Sequence, residues 1–276
     1  MKLYKYLSQA RLSVLRDAQI RFSSPISLND PFEIKPNITA LANDADLVEN
    51  FEGIATRILI EEYQNIQTGL SLDEFLRFAS HNIPNAKREF PKLVSRLMPQ
   101  IKETIHSAML RSIGILCLSE IMDSLLMWAH YSDSHQGYVL EFDSESSFFD
   151  QRDGENDFRF LHQVQYSKQR PTFVLKNIKG FSPFIQKSDE WSYEGEWRML
   201  MPLAMASNVI GEGPSAIHLY NFPRDTISKV IVGCKATEKT TEAIIEIIQS
   251  TVEYRSVEIM RATLDDQEYK LNFVKL

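Results

Sequence analysis

Alternation opens the chain. Leu3-Tyr4-Lys5-Tyr6-Leu7 places residues on opposite sides of an extended, aromatic-rich segment, which predicts a strand. Ser8 offers a cap for a short helix through about Ala18, with Leu12 and Leu15 on one face. Gln19 to Ser24 reads as a second strand that stops at Pro25, and Asn29-Asp30-Pro31 centres a turn over 27–33. From about Asp44 to Arg111 the period lengthens. Phe90, Val94, Leu97, Met98, Ile101 and Ile105 recur at three- and four-residue steps, the stripe of an amphipathic helix. Pro91 fits that helix's first turn, and Pro99 is expected to kink or split it.

Mixed patterning returns after Arg111. Ile113 to Leu118 predicts a buried strand, Asp123 or Ser124 caps a helix containing Leu125 to Tyr131, and Gly137 to Phe142 is another strand. The acidic, turn-rich stretch 142–158 reads as an exposed loop. Further strands are expected at 162–166, 196–201, 216–220, 229–233, 257–264 and 269–274. A helix is expected from Thr237 or Glu238 to about Val252. Strands separated by one helical block predict a single α+β domain over 1–276, its sheet mixed or antiparallel, with a helical insertion at about 44–111.

Composition narrows the function classes. At 276 residues, 43% hydrophobic and 24% charged, the chain can bury a core without disulfide or metal staples. Thirty Lys and Arg against thirty-seven Asp and Glu give a net charge of −7, which disfavours nucleic acid or an anionic membrane as a global partner. Locally, Lys87, Arg88, Lys92, Arg96, Lys102 and Arg111 outnumber Glu89 and Glu103; the run reads first as a solvated helix face and second as a surface for an anionic partner. No apolar run approaches the roughly 20 residues that cross a bilayer, and no charged-then-apolar leader opens the chain, so a soluble cytoplasmic protein is expected. Cys117 and Cys234 cannot make a disulfide framework or a four-cysteine zinc site.

The familiar chemical signatures are missing. The six histidines lack metal-ligand spacing, and no P-loop or GxGxxG turn occurs. Cys117, ending an apolar strand, reads as a packing residue before it reads as a nucleophile beside His130 or His135. Four segments stand out instead: Asn29-Asp30-Pro31-Phe32-Glu33, Cys117-Leu118-Ser119-Glu120, Met127 to Tyr131, and Trp191-Ser192-Tyr193-Glu194-Gly195-Glu196-Trp197-Arg198. Aromatics flanking carboxylates build a flat, partly dry wall suited to a ring-bearing ligand. Taken singly, each segment also reads as a cap, a turn or a surface ion pair.

In that order these segments resemble a widespread bacterial and prophage-borne family catalogued only as a domain of unknown function. Its pattern is an opening Leu-Tyr-Lys/His-Tyr strand, Asn-Asp-Pro-Phe-Glu, Ser-Glu, Met-Trp-x-x-Tyr, Gly and Trp-x-x-Glu-x-Glu-Trp-Arg. These fall here at Leu3 to Tyr6, Asn29 to Glu33, Ser119-Glu120, Met127 to Tyr131, Gly137 and Trp191 to Arg198. The family brings no established activity; its genetic setting implies a toxin or phage-defence role.

More distantly, Glu194-Gly195-Glu196 leading into Trp197 to Pro202 resembles the Glu-x-Glu element of ADP-ribosyltransferases. That resemblance implies NAD as substrate, Glu196 as the carboxylate that stabilises positive charge developing on the ribose, and Glu194 as the residue orienting the acceptor. It implies support from the Ser119-Glu120 strand end, and phosphate binding by a first-strand cation, Lys5 or Arg21. The chain departs from that family in lacking a full Ser-Thr-Ser, in carrying Lys5 at the first-strand arginine or histidine, and in its helical block. Tyr6, Asn29, Asp30, Trp128, Tyr131, Trp191 and Arg198 complete the expected binding residues.

Two other readings stay open. Asp30, Glu33, Glu120, Asp123 and Glu141 supply the oxygen ligands that Mg²⁺ or Mn²⁺ needs in a phosphodiester-cleaving site. Without catalysis, Trp128, Trp191, Trp197 and Arg198 could anchor a small ligand or a protein in a sensor module, or the tryptophans could be core residues. No metal is predicted for the preferred reading. Neither an acceptor nor an oligomeric state has a signature in the sequence.

Overall fold

Leu3 and Leu7 enter one apolar cluster and Tyr6 another, so the opening strand β1 (Lys2–Leu7) is covered on both faces and lies inside a sheet. A computed structural model describes every residue except Asn156 and Lys179. After β1 come α1 (Ser13–Asp17), β2 (Gln19–Phe22), β3 (Asn37–Ala40), α2 (Asp44–Asn65), α3 (Leu72–Ser80) and α4 (Ile83–Ser112). Next are β4 (Ile113–Ser119), α5 (Leu125–Tyr131), β5 (Tyr138–Asp143), β6 (Leu161–Gln163), β7 (Gln165–Ser167), β8 (Thr172–Val174), β9 (Gln186–Ser188) and β10 (Glu196–Pro202). The chain closes with β11 (Asn208–Ile210), β12 (Ile217–Asn221), β13 (Ile227–Val232), α6 (Glu238–Ser250), β14 (Glu258–Leu264) and β15 (Leu271–Lys275).

Two units emerge. The first comprises Met1–Lys35, Ala108–Arg170 and Gly180–Leu276; the second comprises Pro36–Ser107 and Pro171–Lys179. The first is built on an eight-stranded mixed sheet ordered β15-β14-β13-β5-β1-β4-β10-β6, and the fold is α+β. Within that eight-stranded sheet the parallel pair among the described residues, β13 with β14, is joined by α6, whose Ile244 and Ile248 cover the core. A smaller antiparallel sheet, β11-β12-β2, belongs to the same unit.

The register around β1 opens a cleft. β1 pairs with β5 at every position from Lys2 to Leu7, and β4 pairs with β10 along its whole length. Between them, β1 and β4 meet only at Tyr4↔Ser119. Further back, Ile115 of β4 exchanges two backbone bonds with Ser23, just past β2, at 2.8 and 2.9 Å. The seam between β1 and β4 therefore stands open.

The second unit packs α2, α3 and the greater part of α4 with the parallel pair β3 and β8 around Ile38, Leu47, Val94 and Met98. Asn43 caps α2 through the Asp46 amide, and Ser71 with Glu74 forms a capping box on α3. Pro91 lies inside α4 rather than in its first turn, because the helix starts at Ile83. Pro99 does not split it; the helix runs on to Ser112, and Val94 and Met98 pack into the core in the turn just before the proline. The basic run is solvated along α4, where Lys87 pairs with Glu52 and Lys92 with Glu89.

Other expectations shift. The helix expected over 8–18 is a 3-10 turn at Gln9–Arg11 followed by α1, ended by Ala18 at φ 49°. Ser8 makes no side-chain cap bond there. The stretch 142–158, which includes Asn156 outside the described residues, is not wholly exposed, because Phe148 and Phe149 are core residues. Strands β3, β8, β9 and β11, three or four residues each, are too short for periodicity to reveal.

Candidate active-site cleft

Glu194 and Glu196 reach one buried cluster through a turn rather than along one strand. The 3-10 helix Asp189–Glu194, capped by Ser188, ends at Gly195 with φ 49° and ψ 51°, and β10 begins at Glu196. Both glutamates are 3% exposed. They converge with Glu33 on the Lys187 ammonium, which lies 2.5 Å from Glu194, 2.9 Å from Glu196 and 3.6 Å from Glu33. Arg198, fully buried, donates to both Glu196 oxygens and to the Phe184 carbonyl at 2.6 Å, and pairs with Glu33. Three carboxylates face two cations, and each charge has a partner, the condition under which such burial is tolerated.

Electrostatics divides the carboxylates. Burial would raise the Glu196 carboxyl, yet Arg198 and then Lys187 outweigh it and bring it down to about 2. Burial dominates at Glu33 and lifts its carboxyl above the usual range against the pull of Arg198 and Lys187. For Lys187, burial pulls downward, but Glu196, Glu33 and Glu194 together hold the ammonium well above its ordinary value.

A cavity of about 380 Å³ opens onto this cluster through the seam. Tyr4, Lys5 and Tyr6 of β1 face Cys117 to Ser119 of β4 across it, and Asn29 and Tyr131 add a polar side. Tyr131 donates to Glu194 Oε1 at 2.6 Å and accepts from Asn29 Nδ2 at 2.8 Å. Ser119 lies opposite Glu196 in the ladder, but its hydroxyl donates to the Glu194 carbonyl at 2.5 Å and not to a glutamate side chain. Lys5 Nζ donates to the Cys117 carbonyl at 2.8 Å, in the space a ladder bond would occupy, and burial lowers its pKa. A second recess of about 230 Å³ shares Lys5, Tyr6, Ser23 and Tyr131 with the cavity and adds Arg11 and Arg21.

Of the residues expected from sequence, Glu194, Glu196, Lys5, Tyr6, Asn29, Ser119 and Tyr131 line the cavity, and Arg21 lines the recess. Arg198 lies behind Glu196 as its positioning partner. Asp30 is buried and turns back on the Phe32 amide at 2.8 Å. Glu120 is exposed and accepts from Trp197 Nε1 at 3.0 Å. Trp128 is a core residue: it is fully buried, packs edge-on to Tyr6 and donates to the Met122 carbonyl. Trp191 stacks over Lys187, whose Nζ lies 4.9 Å from the ring centre. The expected aromatic wall is therefore made by tyrosines, not tryptophans.

Sequence reasoning overlooked Lys187, Tyr4 and Tyr166, whose hydroxyl accepts from the Glu196 amide at 2.8 Å. Lys187 sits on the three-residue β9 and no motif marks it. The oxygen ligands considered for a divalent cation disperse: Glu33 goes to Arg198, Glu120 to Trp197 and Glu141 to Ser228 and Lys229. Among the described residues, no group of three or more His, Cys, Asp or Glu is placed to hold a metal ion. Likewise, no helix among them is long and apolar enough to cross a membrane.

The fold and site thus define an α+β protein with a charge-floored cleft between two central strands. Residues 127–199 match the model of a family described as a protein of unknown function (DUF2971). The matched stretch runs from α5 to the start of β10 and contains Met127 to Tyr131, Gly137, Glu194, Glu196 and Arg198. No curated protein and no solved structure matches the chain.

Proposed function

We propose that the cleft binds NAD and breaks its nicotinamide–ribose bond, transferring ADP-ribose to an acceptor or to water. The observation that carries this reading is one of adjacency. Lys5, Ser119 and Glu196 come from β1, β4 and β10, neighbours in that order, and all three line one cavity. Nicotinamide leaves with the bonding electron pair, and positive charge develops on the ribose. Glu196, ionised across the neutral range, stabilises that charge from the cleft floor. Tyr131 holds Glu194 against the acceptor side, and the acceptor gives up its proton to solvent water as its new bond to the ribose forms. Tyr4 and Tyr6 offer flat faces to the nicotinamide ring.

The test is nicotinamide release and NAD-induced thermal shift, on the wild type and Glu196→Gln. If NAD stabilises both proteins and only the wild type releases nicotinamide, the reading stands. If the wild type neither binds nor consumes NAD, it falls.

A second reading rests on the bonds Glu196 already makes. Arg198 and Lys187 occupy both of its oxygens, which spends much of its charge inside the cluster. On that ground the cleft is a binding module for a nucleotide-like ligand that it does not cleave. NAD-induced stabilisation of the wild type without nicotinamide release supports this second reading over the first.

A further inference from the structure

We infer that Lys5 is a reactive amine, and that the cleft takes a small aldehyde which Lys5 Nζ captures as an imine. Lys5 stands on β1 beside the point where the ladder to β4 ends. It is half-buried and lines both the cavity and the recess, so a ligand entering either meets it.

The two lysines of the cleft are placed for opposite tasks. Lys187 is ringed by Glu33, Glu194 and Glu196, which keep it an ammonium. Among the described residues Lys5 makes no ion pair, and its hydrogen bond goes to the neutral Cys117 carbonyl at 2.8 Å. The groups packed around it from other elements pull in both directions. Burial lowers its pKa most; Cys117 of β4 and Glu196 of β10 act to raise it, and Arg11 and Arg21 lower it further. The balance is downward, so Lys5 gives up its proton ahead of the chain's solvated lysines. As a neutral amine it keeps one N–H on the Cys117 carbonyl and has a lone pair to offer the cleft.

The chemistry balances without a cofactor. The lone pair attacks the carbonyl carbon, a C–N bond forms, and the π pair moves to oxygen, which takes a proton from the nitrogen. The new hydroxyl then takes a proton from solvent and leaves as water, while the nitrogen lone pair closes the C=N bond. The resulting iminium retains one N–H for the Cys117 carbonyl, and its positive charge lies in the field of the ionised Glu196. Hydrolysis reverses the step. Tyr4, Tyr6 and Tyr131 line the same cavity with Leu28, Leu118 and Met127, a wall that suits an aldehyde carried on a flat ring. The inference stands apart from NAD cleavage, which uses no amine.

The probe is pyridoxal, an aldehyde on a single ring without a phosphate, added in limiting amount to the full-length wild type at neutral pH. Borohydride reduces each imine to a secondary amine that survives proteolysis, and peptide mass mapping reads which lysines carry it. In the folded protein Lys5 should be labelled at least about tenfold faster than the exposed Lys102 of α4, the rate ratio that ~1.4 kcal/mol gives. Its labelling should also level off at a lower pH, and urea should abolish the preference. Lys5→Arg, which keeps a donor for the Cys117 carbonyl, should lose the fast phase of total incorporation. Lys5 labelled no faster than Lys102, or a preference that survives urea, overturns the inference, and neither readout needs the variant to fold. Fast Lys5 labelling in a protein inert toward NAD upholds the amine and removes the NAD reading; slow Lys5 labelling with nicotinamide release does the reverse.

Discussion

Arg198 grips Glu196 with two parallel bonds, Nε to Oε1 at 2.8 Å and Nη2 to Oε2 at 2.9 Å, from two positions further along the same strand. The same guanidinium holds Glu33 and the Phe184 carbonyl, so one side chain ties the Asn29-to-Glu33 segment to the strand carrying the candidate catalytic carboxylate.

Removing that side chain is expected to be severe. Arg198→Met leaves Glu33 and Glu196 buried with Lys187 alone, and breaking such a pair costs about 3–5 kcal/mol. Arg198→Lys should recover only part of this, because an ammonium cannot reproduce the fork. Urea denaturation reads both; a midpoint unchanged in Arg198→Met would mean the cluster contributes nothing to stability.

Acid should expose the depressed Glu196. A carboxyl held down in the fold stabilises it above its ordinary pKa of 4.5, and that stabilisation drains away as pH falls toward about 2. Wild-type stability should therefore drop between those limits by on the order of 2 kcal/mol more than that of Glu196→Gln. Glu33 runs the other way: its carboxyl is raised by burial, so its contribution falls as pH climbs from 4.5 through its folded value, and Glu33→Gln should remove that opposing slope. Urea midpoints from pH 2 to 7 separate the two, and parallel curves for wild type and Glu196→Gln would refute the assignment.

Gly195 is expected to resist substitution. Its left-handed backbone costs a residue with a Cβ about 1–2 kcal/mol, and that Cβ would stand 2.9 Å from Glu120 Cγ and 3.0 Å from Ile121 Cδ1. Gly195→Ala should lower the melting temperature, with Gly195→Asn milder because Asn tolerates this conformation. If Ala and Asn melt alike at the wild-type temperature, the turn does not govern how Glu194 and Glu196 converge.

Gly137 is tighter still. A Cβ there would lie 2.0 Å from the Leu7 carbonyl oxygen, a backbone atom at the end of β1. Gly137→Ala should cost about 3 kcal/mol or more and disturb the β1–β5 edge, measured as a fall in the urea midpoint. Near-wild-type stability would contradict this close approach.

Much of the cleft was legible because its walls are made of rare local patterns. Leu3 to Tyr6, Ser119 and Glu194 to Arg198 each sit on or beside a strand whose apolar run declares itself, and these strands proved adjacent. What stayed hidden depends on contacts distant in sequence. Lys187 lies on a strand too short for a pattern, and one of its carboxylates, Glu33, belongs to a far earlier turn. Trp128 was misjudged as a ligand anchor because a seven-residue helix has too few turns to declare which side faces the core. Arg11 escaped because it carries no motif and joins Lys5 and Arg21 around the recess only once β1 and β2 are folded.

The cleft owes its existence to where a ladder stops. β1 and β4 share one pair, at Tyr4 and Ser119, and then diverge, leaving Lys5 to meet the Cys117 carbonyl where backbone would otherwise do so. The size of the opening is thus a property of strand registration rather than of any wall residue. One more paired step would seal it with every side chain unchanged, and one fewer would free Ser119 from its neighbour. The aperture is therefore set by where β1 and β4 part, above an ionic floor made by Lys187, Arg198 and three glutamates.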